Sequence, residues 1–141
     1  MSLKLTPALS QEFELVEPDK IWNVGGEPTR VAIRQATNGD DMARNRLFAL
    51  VAKEYGADDS VKYTSTLSID DVHCKEAYLV LASCNVETAG GKALIKFKND
   101  KVDMSEFEFA DAWGQLPREY AEAIVEFIGV VNPHWTPEGK S

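Results

Sequence analysis

Apolar and polar residues change their spacing several times along this chain, and each change predicts an element. Between Thr29 and Arg34, Val31 and Ile33 alternate with Arg30, Ala32 and Arg34, the period of a half-buried strand. Phe13, Leu15, Ile21, Trp22 and Val24 precede that run. Gly25 and Gly26 followed by Pro28 are a turn signal, so a hairpin joining residues 21–24 to residues 29–34 is expected. Thr37, Asn38, Gly39 and Asp40 then form a capping signature, in which the Thr hydroxyl accepts from an amide three residues on. A helix is predicted from about Asp40 to Tyr55, with Gly56 as its stop. Met42, Leu47, Phe48, Leu50 and Val51 lie on its apolar side, and Arg44, Arg46 and Lys53 face elsewhere. The polar, Ser- and Thr-rich residues 57–67 read as a surface connection that holds at most a short strand at 61–63.

Ser68, Ile69, Asp70 and Asp71 repeat the capping signature ahead of the run 72–84, which is apolar most of the way round. Its length favours one central helix, although residues 78–81 alone would equally suit a core strand. Gly90 and Gly91 break the chain. Residues 92–98 read as a short exposed strand whose Lys92, Lys96 and Lys98 keep an edge soluble, followed by a turn. Ser105 caps a short helix that runs through Trp113 and ends at Gly114. Leu116 and Pro117 open the clearest amphipathic helix, with Tyr120, Ala121, Ile124, Val125, Phe127, Ile128 and Val131 in one stripe, and Asn132 and Pro133 close it. The expectation is a single α+β domain over residues 13–135, in which a small N-terminal antiparallel sheet or hairpin packs against three to four helices. Residues 1–12 form a lead-in and 136–141 a polar tail. The expected core comprises Val31, Ile33, Phe48, Val51, Leu79, Leu81, Phe109, Trp113, Ile124, Phe127 and Ile128.

Composition narrows the function more than the fold. The chain has 141 residues, enough for one core without a staple. Its formal charge of −8 would repel a phosphate backbone or an anionic bilayer, so neither nucleic acid nor membrane is an expected partner. No apolar run reaches the roughly 20 residues that span a bilayer. The first residues lack the pattern of a secretion signal, which leads to a cytoplasmic expectation. Cys74 and Cys84 fit neither a disulfide framework nor a zinc spacing. His73 and His134 have no second ligand at a suitable spacing, so neither a metal nor another cofactor is expected. Cys74 would serve as a nucleophile only if its position within two turns of a helix start lowered its pKa. The paired acids Asp40–Asp41, Asp58–Asp59 and Asp70–Asp71 are accounted for by capping and solvation. Gly25–Gly26 and Gly90–Gly91 lack the context of a phosphate loop. No catalytic residue emerges, and a non-enzymatic interaction protein is the expected class.

Several segments in their order resemble the tail assembly chaperones of long-tailed, siphovirus-like bacteriophages and prophages. They are the strand and cap through residues 31–44, the middle stretch Tyr78-Leu-Val-Leu-Ala-Ser-Cys84, a Gly-Lys-Ala strand, Phe107-Glu-Phe-Ala-Asp-Ala-Trp113-Gly-Gln-Leu-Pro117, and the close Val131-Asn-Pro-His-Trp135. The resemblance covers about residues 13–135 and rests on layout rather than on a catalytic motif. It implies a factor of the host cytoplasm that binds the tape-measure protein, recruits tail-tube subunits and is left out of the finished virion. The expected partner surface lies on the middle and last helices, with Tyr78, Trp113, Tyr120 and Trp135 as anchors and a monomer or weak homo-oligomer as the free state. Such chaperones are often made in two lengths by a ribosomal frameshift, and Glu138-Gly-Lys140 is codon-compatible with the slippery heptamer G GGA AAR. The alternative of a different class is a virion structural subunit, a tail-tube or head–tail connector protein.

Overall fold

The computed structural model describes residues 9–15, 28–55 and 68–135. Its elements are, in order, β1 (Ser10–Leu15), β2 (Thr29–Arg34), α1 (Asn38–Tyr55), α2 (Ile69–Val80), β3 (Leu81–Cys84), β4 (Phe97–Lys98), β5 (Lys101–Val102), α3 (Glu106–Gly114) and α4 (Arg118–Val131), followed by a 3-10 turn at Pro133–Trp135. This is the α+β arrangement expected: a small antiparallel sheet on the N-terminal side, packed with four helices.

The sheet has the order β1-β2-β3, both pairings antiparallel. Period-two alternation in β2 buries Val31 and Ile33 completely. The partner of β2 on one side is β1, with Phe13 opposite Val31. The hairpin strand expected at residues 21–24 and the short strand at 61–63 both lie outside the described residues. β1 begins at Ser10, inside the stretch read as a lead-in, because Gln11, Glu12 and Phe13 complete the hydrogen-bonding of β2.

The run 72–84 is not one helix. α2 ends at Val80, and Leu81 turns to extended backbone (φ −68°, ψ 123°) to begin β3. The register shifts between Ala32 and Ile33, so that Ala82 is an extra residue between Ser83 and Leu81. That bulge lets Leu81, Ala82 and Cys84 all be buried, against strict alternation. The continuous apolar run therefore reflects a buried helix end passing directly into a buried strand, which periodicity alone does not distinguish from one long helix. The region read as a strand over 92–98 is mostly irregular. Ala93 makes one bridge to Glu87, and only Phe97–Lys98 pairs, with Lys101–Val102. Asn99 and Asp100 both have positive φ (54° and 60°), the geometry of a two-residue hairpin turn.

Three caps form as the sequence predicts. Thr37 Oγ1 accepts from Asp40 N at 3.2 Å while Asp40 Oδ2 accepts from Thr37 N at 2.9 Å. Ser68 with Asp71 and Ser105 with Glu108 make the same reciprocal pair at α2 and α3. Pro117 stands one residue before α4, at its N-cap. The α4 stripe covers the sheet, Ile124 and Ile128 being buried and Phe127 stacking on Phe13 with centroids 4.3 Å apart. Of the expected core, Val31, Ile33, Leu81, Phe109, Ile124 and Ile128 are fully enclosed. Leu79, Trp113 and Phe127 are half-buried against them, and the side chains of Phe48 and Val51 lie outside the described residues.

Candidate functional site

Two places bring together side chains distant in sequence: a buried polar cluster and an open cleft. The cluster joins the start of α1 to α2 and to the chain after α4. Arg34 is buried. Its guanidinium donates to Asp40 Oδ2 at 2.9 Å and to the Leu79 carbonyl. Arg44, expected to face away from the apolar side of α1, instead turns toward α2, where its Nε lies 2.6 Å from Glu76 Oε2. Glu76 is buried among apolar neighbours, and an uncompensated carboxylate there would be costly, so the pairing with Arg44 follows. Arg44 also donates to the Trp135 carbonyl at 3.0 Å and lies over the Trp135 ring, 5.3 Å from its centroid. Asp41 Oδ1 accepts from Trp135 Nε1 at 2.7 Å and meets His134 Nε2 at 3.0 Å. Burial raises the Asp41 pKa, but the hydrogen bonds to His134 and Trp135 and the charges of His134 and Arg44 outweigh it and leave the carboxyl below its usual range. Asn132 completes the cluster, its Oδ1 accepting from Ala36 N at 2.8 Å and its Nδ2 donating to the Arg34 carbonyl at 3.2 Å. Apart from Arg34 Nε, which is buried without a hydrogen-bond partner, these groups are satisfied by other parts of the chain, and the cluster ties α1 to α2 and to the chain after α4.

The cleft lies along α3. It encloses about 290 Å³ between α3 and the irregular chain after β3. Leu94, Met104 and Ala112 supply its apolar surface, Glu108, Asp111 and Gln115 its polar side along α3, and Thr88 the opposite wall. Phe107 stands at its mouth, 86% exposed. The position follows from the helix period. Phe109, Ala112 and Leu116 point to the core, and Phe107 lies about 200° round the helix from Phe109. Behind the cleft a row of rings fastens α3 to α2, with Tyr78–Phe109 centroids 5.5 Å apart and Phe109–Trp113 6.0 Å apart. Lys75 Nζ makes two 3.0 Å contacts to the Glu106 carboxylate. Hydrogen bonds from Ser105 hold the Glu108 carboxyl below its ordinary pKa, with a smaller contribution from Lys96.

The four residues expected to anchor a partner divide evenly. Tyr120 is buried, its hydroxyl 3.3 Å from Thr29 Oγ1, and Trp135 is buried within the polar cluster. Both rings are taken up by contacts within the chain. Tyr78 and Trp113 are half-buried and do not line the cleft; the Tyr78 hydroxyl donates to the carbonyl of Met104, a residue that does, at 3.3 Å. Sequence reasoning did not single out Phe107, Leu94 or Met104. The signal for Phe107 was present, since it is the one large apolar residue off the core-facing side of α3.

Cys74 is poorly placed for chemistry. Burial, then the charges of Glu106 and Asp71, push its thiol up to about 11 despite Lys75, so it is protonated at neutral pH. Burial also raises the Cys84 thiol. Among the described residues no group of three or more His, Cys, Asp or Glu side chains could hold a metal ion, and no helix is long and apolar enough to cross a membrane. No protein-family model matches this chain, and no curated protein or solved structure matches it.

Proposed function

We propose that this protein is a non-catalytic tail assembly chaperone of a long-tailed bacteriophage or prophage. In this reading it acts in the host cytoplasm, binds the tape-measure protein and recruits tail-tube subunits during morphogenesis. The observation that carries the reading is the exposed Phe107 lining a cleft of mixed apolar and polar character along α3. It falls in the segment 107–117, one of the stretches in which the resemblance to these chaperones resides. A large exposed aromatic beside a cleft is a feature that a partner of the chain would cover, aromatic rings being the usual anchors of protein interfaces. The net charge of −8 keeps such a surface from self-association while the client is absent.

The test begins with the coding DNA over residues 138–141 and the frame beyond. A G GGA AAR heptamer overlapped by a −1 frame, followed by a long helical reading frame, identifies the client. Co-expression is then expected to keep that client soluble, whereas it aggregates alone. A client equally insoluble with and without this chain sinks the reading. Light scattering that finds a stable ring of this chain alone points to the virion structural subunit instead.

A further inference from the structure

We infer that Asn38 is a site of spontaneous covalent modification, losing its side-chain amide through a ring formed with the backbone nitrogen of Gly39. The reaction asks three things of an asparagine: an exposed and loosely held amide, a following N–H that bonds to nothing else, and no side chain on that following residue to hinder the approach. Asn38 meets all three. It is exposed at the start of α1, and its amide makes one weak contact, Nδ2 to Met42 Sδ at 3.7 Å. The Thr37 hydroxyl takes the Asp40 N–H and the Thr37 carbonyl takes that of Asp41, so the Gly39 N–H stays in the open first turn with no acceptor among the described residues.

Gly39 answers no demand of the backbone. Its φ is not positive, and an alanine Cβ there would lie 3.6 Å from Thr37 Oγ1, an ordinary contact. Within a helix glycine costs about 1 kcal/mol against alanine. Alanine would serve the fold better, and glycine serves ring closure. The other described asparagines each lack a requirement. Asn45 lies inside α1, where the next N–H is a helix donor. The Asn85 amide is held by the Arg30 N–H and the Pro28 carbonyl, Asn99 precedes the side chain of Asp100, and buried Asn132 precedes Pro133, which has no N–H.

In the reaction, hydroxide takes the Gly39 amide proton and the nitrogen attacks Asn38 Cγ. The N–Cγ bond forms, the Cγ–Nδ2 bond breaks, and ammonia leaves with a proton from water, which returns the hydroxide. Water then opens the five-membered imide. Addition at Cγ gives aspartate; addition at the main-chain carbonyl carbon gives isoaspartate, whose main chain runs through Cβ and Cγ. The positive end of α1 favours both the nitrogen anion and the new carboxylate. Isoaspartate places an extra carbon in the chain between Thr37 and Asp40, so the reciprocal cap that presents Asp40 to Arg34 no longer closes, and the start of α1 loosens.

The test ages the full chain in mildly alkaline buffer and follows intact mass and peptide maps. A gain of about one dalton is expected at Asn38, slower than in an unfolded peptide of residues 34–44 by no more than about a hundredfold, because the first turn of a helix opens readily. Gly39→Ala should melt no lower than the wild type and slow the gain about tenfold or more. The separated isoaspartyl form should lose hydrogen-exchange protection at the start of α1 while α3 keeps its own. A gain mapped to another asparagine in place of Asn38, no gain while the peptide is consumed, or an unchanged rate in Gly39→Ala overturns the inference. Full protection at the start of α1 in the isoaspartyl form overturns the loosening.

Discussion

Single side chains here are committed by what burial forbids. Asn132 closes α4 as its place before Pro133 suggests, but its amide also satisfies two backbone groups, Ala36 N–H and the Arg34 carbonyl. Asn132→Ala would leave both unpaired in a site that is 2% exposed, a loss of about 2 kcal/mol. Urea unfolding of the variant checks this, and a cost below a few tenths would mean that the two groups find other partners. Glu76 behaves similarly through charge. Removing it alone takes the carboxylate from a half-buried Arg44, which keeps its bond to the Trp135 carbonyl, and is expected to cost about 3 kcal/mol, whereas Arg44→Met with Glu76→Met should cost clearly less than the two single changes together. Cys74 offers a kinetic measure. With its thiol near 11, the thiolate fraction at neutral pH is roughly a hundredfold below that of an ordinary cysteine. Labelling by an alkylating reagent at pH 7 should be correspondingly slow, and fast labelling would restore Cys74 as a candidate nucleophile.

At the scale of elements, stability is decided where helices start and where the chain changes from helix to strand. The capping boxes at α2 and α3 were legible because every residue they need lies within four positions. Ser105→Ala removes the acceptor for Glu108 N and is expected to cost about 1 kcal/mol. The same change should loosen the cleft, since α3 forms its polar side. Protection of the α3 amides from hydrogen exchange would fall in the variant while that of α4 stays unchanged; equal loss in both helices would mean that they open together. The passage from α2 into β3 was not legible, because a helix buried on several sides and a strand buried by a bulge have the same apolar composition. The pairing with β2 makes the choice.

Across the whole molecule, the start of α1 is tied to the turn after α4 through Asp41, Arg44, His134 and Trp135. The depressed Asp41 pKa gives that tie a pH dependence of definite sign. A carboxyl held lower in the folded chain than in the unfolded one contributes stability above the unfolded value, about 3.9, and loses it as pH falls through the folded value. The melting temperature of the wild-type chain should therefore drop below about pH 4. Asp41→Asn should be less stable at neutral pH and converge on the wild type in acid. Parallel melting curves over the whole range would show that Asp41 contributes no linkage.

The sequence by itself determined the α+β class, three capped helix starts, the α4 stripe and most of the core. These follow from spacings of a few residues, where periodicity and side-chain-to-backbone hydrogen bonds act without regard to the rest of the chain. Tertiary structure alone decided that Arg44 turns inward to Glu76, that Tyr120 and Trp135 are enclosed, and that Phe107 stands beside a cleft. Those outcomes depend on pairings such as Asn132 with Arg34, 98 positions apart, or Asp41 with Trp135, 94 apart. A buried charge or amide requires a partner, and only the packed fold settles which of many distant residues supplies it.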